Sequence, residues 1–218
     1  MKRNAWLYGL IGMTVAAGIF MAVIGFLRSV VILEALGIAG IVVALLGAAV
    51  FGAQDSVNVP CEKFFTEGKY EEMRTFIERK MRSPFFFLMR IAALEHYIRV
   101  CMALDDLSTA ARYIDRLRHG GGMGWKYRTA YCYILIKLDA GDIETARGEY
   151  EQFRNDCAHA EIYKTQLEIL SAIFTRLFTA RDNIPLPTSA VECVYPVVSR
   201  ILGRHYEAEV ARRDETWD

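Results

Sequence analysis

The sequence predicts an all-α protein: an N-terminal two-helix transmembrane hairpin followed by an α-solenoid, a stack of helical hairpins. Three observations predict it. Between Ala5 and Ala53 only Arg28 and Glu34 carry charge at neutral pH. From Asp55 onward, alternating apolar–polar runs are absent and helical periodicity dominates. A short motif also recurs at intervals of 36 and 37 residues, a period characteristic of stacked helical hairpins.

The hairpin is expected in residues 1–54, with spans over 5–27 and about 34–53. At ~1.5 Å per residue the first span is about 34 Å long, enough to cross a hydrocarbon core of ~30 Å. Helix is required there because lipid offers no partner to a free backbone group. A signal peptide would have a shorter apolar run and no second span behind it. Lys2 and Arg3 precede the first span, Lys63 and Lys69 follow the second, and only Arg28 lies between them. That asymmetry places both termini on the cytoplasmic side. Glu34 sits at the expected turn, within reach of Arg28, and reads as a water-facing residue rather than part of an ion path. Gly40, Ala44, Ala48 and Gly52 recur every four residues on the second span, and Gly18 and Ala22 form a shorter pair on the first. Small side chains let helix backbones approach closely in lipid. The stripe serves either the pairing of the two spans or the docking of another membrane subunit.

The remaining residues suffice for one domain with a core. Setting aside Lys2, Arg3, Arg28 and Glu34 from 26 basic and 26 acidic residues leaves 23 and 25, a net charge near −2. This disfavours nucleic acid as a partner and a polybasic grip on lipid. The five cysteines, Cys61, Cys101, Cys132, Cys157 and Cys193, form no CxxC pair. They suit apolar core positions in a reducing compartment.

Helix boundaries are well marked. Ser83-Pro84 reads as an N-cap with proline at N1, opening a helix through about Leu104. Gly120–Gly122 closes the next helix. A helix over about 158–180 presents Ile162, Leu167, Leu170, Ile173, Phe174, Leu177 and Phe178 on one stripe. Thr188 opens the last helix, and Pro196 kinks or divides it. Together these C-terminal helices, in 158–218, cap the stack. Arg212–Asp218 is polar and is expected to fray.

The repeat itself is Asp142-Ile143-Glu144-Thr145-Ala146, echoing Asp106-Leu107-Ser108-Thr109-Ala110, with Gly68-Lys69-Tyr70-Glu71-Glu72-Met73 as a third copy. A compact residue (Ala110, Ala146) marks where two antiparallel helices cross closely; larger ones (Ile77, Ile114, Tyr150) fill the groove. One hairpin cannot cover its own apolar face, so neighbours stack.

At these positions the chain resembles the tetratricopeptide-repeat family. The segments Gly68–Lys80, Asp106–Leu117 and Gly141–Phe153 are similar to that repeat's Gly-Asp-Tyr-x-x-Ala half. The resemblance covers residues 57–157. In the leading helices the usual Trp, Leu and Gly are replaced by Leu94, Tyr97 and Ile98 in the second unit and by Ala130, Tyr133 and Ile134 in the third. Pro60 is expected to cut short the leading helix of the first. The resemblance implies a concave protein-binding groove lined by Ala92, Glu95, Arg99 and Met102 and, in the next unit, by Arg128, Tyr131, Leu135 and Leu138. Two arginines among apolar residues suit a peptide carrying a carboxylate and an apolar anchor. In a short stack, however, the next helix covers such residues.

No catalytic motif stands out. His96, His119, His159 and His205 lack metal-ligand spacing; there is no GxSxG or HExxH. His119-Gly120-Gly121-Gly122-Met123-Gly124 lacks the Lys and the preceding strand of a phosphate loop and reads as an interhelical turn. Asp105-Asp106 and Glu71-Glu72 suit capping. Phe85-Phe86-Phe87 cannot all face one side of a helix, so the run either plugs the core between repeats or leaves an aromatic for lipid. The expectation is a non-enzymatic, membrane-anchored adaptor or scaffold that binds a protein partner at the cytoplasmic face, with no cofactor, metal or small-molecule substrate. The alternative is an accessory subunit of a membrane enzyme or transporter, assembled through the hairpin.

Overall fold

A computed structural model describes residues 5–28, 30–120, 123–157, 159–179 and 195–203; the side chains at 5–8, 34, 123, 178 and 179 are not among them. Every regular element in the described residues is helical. In order these are α1 (Ala5–Leu27), α2 (Val31–Thr66), α3 (Tyr70–Met81), α4 (Phe86–Ala103), α5 (Leu107–Gly120), α6 (Met123–Asp139), α7 (Ile143–Cys157), a 3-10 turn (Glu161–Tyr163) and α8 (Lys164–Thr179). Residues 196–203 are also helical. Thr188, Cys193, His205 and Arg212–Asp218, and any pairing made by the Glu34 side chain, lie outside the described residues.

The chain divides into two compact units. One comprises residues 1–60 and 80–93; the other comprises 61–79 and 94–218. In the first, α1 and the N-terminal part of α2 are long and apolar enough to cross a membrane. They pack through glycine. A Cβ on Gly37 would stand 2.5 Å from the Gly18 carbonyl oxygen and the Ala22 nitrogen, and one on Gly18 would stand 2.9 Å from Ile41. By contrast, a Cβ on Gly40 or Gly52 would meet nothing within 4 Å. Ala44 is buried and Ala48 half-buried. The close approach of the two helices therefore uses Gly18 and Gly37 rather than the ends of the Gly40–Gly52 stripe.

Helix α2 does not stop at Pro60. It runs for 36 residues with the proline inside, correcting the expectation of a shortened leading helix. An interior proline costs about 3 kcal/mol. Val57, Cys61 and Phe65, spaced one turn apart, are all buried, and burying such side chains contributes roughly 1.5–3 kcal/mol each. Packing therefore outweighs the lost backbone bond. The helix expected from about 158 also differs: it begins only at Lys164. Ile162 belongs to the 3-10 turn and is exposed, while Leu170, Ile173 and Phe174 are buried.

The second unit contains three turns of one backbone design. Gly68, Asp105 and Gly141 each adopt the left-handed conformation, with φ of 70°, 59° and 78°. Around Gly68, its own N–H bonds to Phe65 O and that of Lys69 to Phe64 O. Around Asp105 the acceptors are Met102 and Cys101, and around Gly141 they are Leu138 and Lys137. This paired 5→2 and 6→1 pattern satisfies the last carbonyls of a helix. The next helix then starts at once. The Asp106 and Asp142 carboxylates accept the Thr109 and Thr145 N–H groups at 3.2 and 3.3 Å, an N-cap contact to the third helical residue. Met73, Ala110 and Ala146 follow at matching positions, and all are fully buried. Short turns leave successive helices antiparallel, with α5 packed on α6 and α6 on α7.

Candidate partner-binding surface

The residues expected to line a groove come together in part. Glu95, Arg99, Arg128 and Tyr131 border one narrow cleft of about 30 Å³, with Gln166 of α8 and Tyr195 on the same rim. That volume holds one or two waters, not a peptide. Met102, Tyr131, Leu135 and Leu138 are buried, as is Ala92 in the other unit. An open groove at these side chains is therefore not what the chain forms.

The two arginines are already engaged. Arg128 pairs with Glu95 at 2.6 Å. Arg99 pairs with Glu62 at 2.8 Å and lies 4.8 Å over the Phe65 ring. An incoming carboxylate would have to compete with both glutamates.

The surface is covered by the chain itself. Tyr195, Val197, Val198 and Ile201 are buried. The Tyr195 ring lies 6.4 Å from that of Phe65, near the end of α2, and 6.3 Å from that of Tyr131 on α6. Arg200 then reaches two helix ends at once. Its two terminal nitrogens donate to the Asp105 carboxylate at 2.7 and 2.9 Å. Its Nε donates to Asp139 Oδ1 at 2.9 Å. The guanidinium holds the Asp105 carboxyl below the usual carboxylate range. A forked cation on a carboxylate is among the stronger and more directional polar contacts.

Sequence reasoning missed Asp105, Asp139 and Arg200 as a group, although a signal was present. Asp139 ends α6 and Asp105 follows α4. Negative charge at a helix C-terminus opposes the helix dipole, so two such aspartates call for a nearby cation. Arg200 supplies it from 61 and 95 residues away.

Other titratable groups are accounted for structurally. His96 is buried. Its pKa is pushed down to about 4, first by burial and then by Arg99, with Glu62 opposing. His119 Nδ1 lies 2.7 Å from the Asp115 carbonyl oxygen, and His159 is exposed. Cys61, Cys101, Cys132 and Cys157 are buried. Burial pushes the Cys101 thiol up to about 12. Arg118 bridges helices: it pairs with Glu149 of α7 at 2.7 Å and stacks 4.1 Å over Tyr133 of α6.

No protein-family model matches this chain, and no curated protein or solved structure matches it either.

Proposed function

We propose that this chain is a membrane-anchored helical-repeat adaptor that holds a helix of a protein partner at the cytoplasmic face of a membrane. Three turns of one design at intervals of 37 and 36 residues support the repeat reading, as does the similarity to tetratricopeptide repeats. Two long apolar helices support the anchor, and the lysine and arginine asymmetry supports the orientation. No turnover is implied.

The observation that carries the binding role is the seat of residues 195–201. Tyr195 lies against Phe65 and Tyr131, Arg200 forks onto Asp105 and Asp139, and Val197 and Val198 of the same segment are buried. These are the terms in which grooves recognise amphipathic helices. A partner helix carrying arginine among apolar residues satisfies the same groups, in competition with the chain's own segment.

The test uses the full chain in lipid nanodiscs and a labelled peptide copying residues 194–204. Arg200→Asp sets a third carboxylate against Asp105 and Asp139 and loosens the resident segment. The peptide should then bind at least about tenfold more tightly than to the unaltered chain, because a competing intramolecular ligand lowers apparent affinity. Adding Asp105→Arg should restore closure and weaken peptide binding again. A helical Arg200→Asp chain that ignores the peptide overturns the proposal.

A second reading rests on the hairpin. Gly40, Gly47 and Gly52 leave open space where Gly18 and Gly37 do not, a surface suited to another membrane subunit. Because Ala44 is already buried, Gly40→Leu and Gly52→Leu discriminate better than changes at Ala44 or Ala48. Loss of a co-purifying membrane complex in those variants, with peptide binding intact, favours an accessory subunit.

A further inference from the structure

The run Phe85-Phe86-Phe87 resolves into two exposed rings and one half-buried ring. Phe85 is 61% and Phe87 71% exposed, and Ile91, one turn beyond Phe87, is 46% exposed. Met89, Ala92 and Ala93 are buried, so the first turns of α4 have a distinct inner side and an apolar outer side. Arg82 and Arg90 are exposed nearby in the chain. Single exposed apolar residues are ordinary, whereas a cluster rimmed by cations marks a contact surface.

What the cluster contacts is indicated by Gln54. It is the first strongly polar side chain after the apolar stretch of α2. Its carboxamide nitrogen donates to the Leu88 carbonyl oxygen at 2.8 Å, and its oxygen accepts the Ala92 N–H at 3.0 Å. Leu88 O and Ala92 N–H are one rung of the α4 backbone ladder. A single glutamine therefore ties the first turns of α4 to the point where the apolar stretch ends. Residues 80–93 belong to the same compact unit as the hairpin. If α2 crosses a bilayer, this bond holds the first turns of α4 near the depth of the headgroup–acyl boundary.

We propose that Phe85, Phe87 and Ile91 form an interfacial wedge that inserts into the bilayer surface beside the hairpin, with Arg82 and Arg90 directed to anionic headgroups. The inference rests on the membrane-anchored reading and adds to it a second lipid contact. Aromatic side chains favour the membrane–water boundary. An amphipathic helix lying there buries its apolar side at the acyl edge and keeps arginine at the headgroups.

The experiment places para-fluorophenylalanine at Phe87, at Phe20 in α1, or at Ile162 in the exposed 3-10 turn. Each chain is reconstituted in phosphatidylcholine vesicles containing phosphatidylglycerol. Fluorine NMR then reads broadening by a nitroxide carried near the head of the lipid acyl chain, and separately by a water-soluble gadolinium chelate. The Phe87 label should be broadened by the lipid nitroxide and shielded from gadolinium, and the Ile162 label should show the reverse. Gadolinium broadening at Phe87 equal to that at Ile162, with Phe20 still shielded, overturns the wedge and leaves the anchor standing. Gadolinium reaching Phe20 as well overturns the anchor and the wedge with it. A Phe85→Ser, Phe87→Ser chain supplies a second readout: it should stay bound to vesicles and show faster backbone hydrogen exchange over residues 86–91. Unchanged exchange there counts against the wedge.

Discussion

Arg200 and Asp105 form a two-pronged ion pair, with donor–acceptor distances of 2.7 and 2.9 Å across 95 residues of sequence. The same guanidinium reaches Asp139, so one side chain joins the ends of α4 and α6 to the C-terminal helical segment. Because the group is partly exposed, its worth is well below that of a buried pair. Arg200→Ala should lower the unfolding free energy by about 1–2 kcal/mol in a denaturant titration. Arg200→Lys should recover little of it, since a point-charge ammonium cannot fork two carboxylates. Full recovery by lysine would mean that net charge, not geometry, matters there.

His96 predicts acid sensitivity. In the unfolded chain its pKa is 6.5, and in the fold it is pushed down to about 4. Below pH 6.5 the unfolded state thus binds more protons than the folded state, and stability falls with falling pH until about pH 4. The loss reaches roughly 3 kcal/mol. Asp105 extends the decline further: its carboxyl is held below its ordinary range by Arg200, so that contribution, present above about pH 4, disappears as acid protonates it. Denaturant midpoints for the native chain and His96→Gln between pH 7 and 4 provide the check; a midpoint profile identical in both chains would remove His96 as the cause.

Ala146 and Ala110 sit at matching places after their turns and are fully buried. Ala146→Leu should destabilise by about 1–3 kcal/mol through overpacking. The same change at the exposed neighbour Arg147 should be nearly silent, and thermal unfolding of the two variants separates these outcomes.

In the hairpin, Gly37→Val should push the two apolar helices apart, because even a Cβ there would stand 2.5 Å from the Gly18 carbonyl oxygen. Gly40→Val should not, since that position opens onto space. Spin labels at the exposed positions Phe20 and Val43 would read the separation: an unchanged label-to-label distance in Gly37→Val contradicts this packing.

Much of this arrangement was legible in the residues. The apolar stretches announced two long helices, and Gly68, Asp106 and Asp142 announced turns and caps, because left-handed glycine and N-cap aspartate carry a local signature. Pro60 misled because the burial of Val57, Cys61 and Phe65 is a tertiary effect that a proline rule does not see. The groove positions were legible only in part, for a related reason. The resemblance set Glu95, Arg99, Arg128 and Tyr131 on one surface, and they do border one cleft, but a repeat pattern is local. It does not tell that Tyr195 and Arg200, far along the chain, lie against Tyr131, Asp105 and Asp139. Nor does it reveal that Asp105 adopts a conformation that glycine holds at the two equivalent turns.

That substitution of aspartate for glycine has a consequence during synthesis. A side chain with a Cβ is strained at φ 59°, and its charge lies unfavourably at the end of α4 until Arg200 arrives. While the chain is still emerging from the ribosome, the middle turn is therefore the weak joint of the three. It tightens only when Arg200, 95 residues further along, has been made and has folded back onto it.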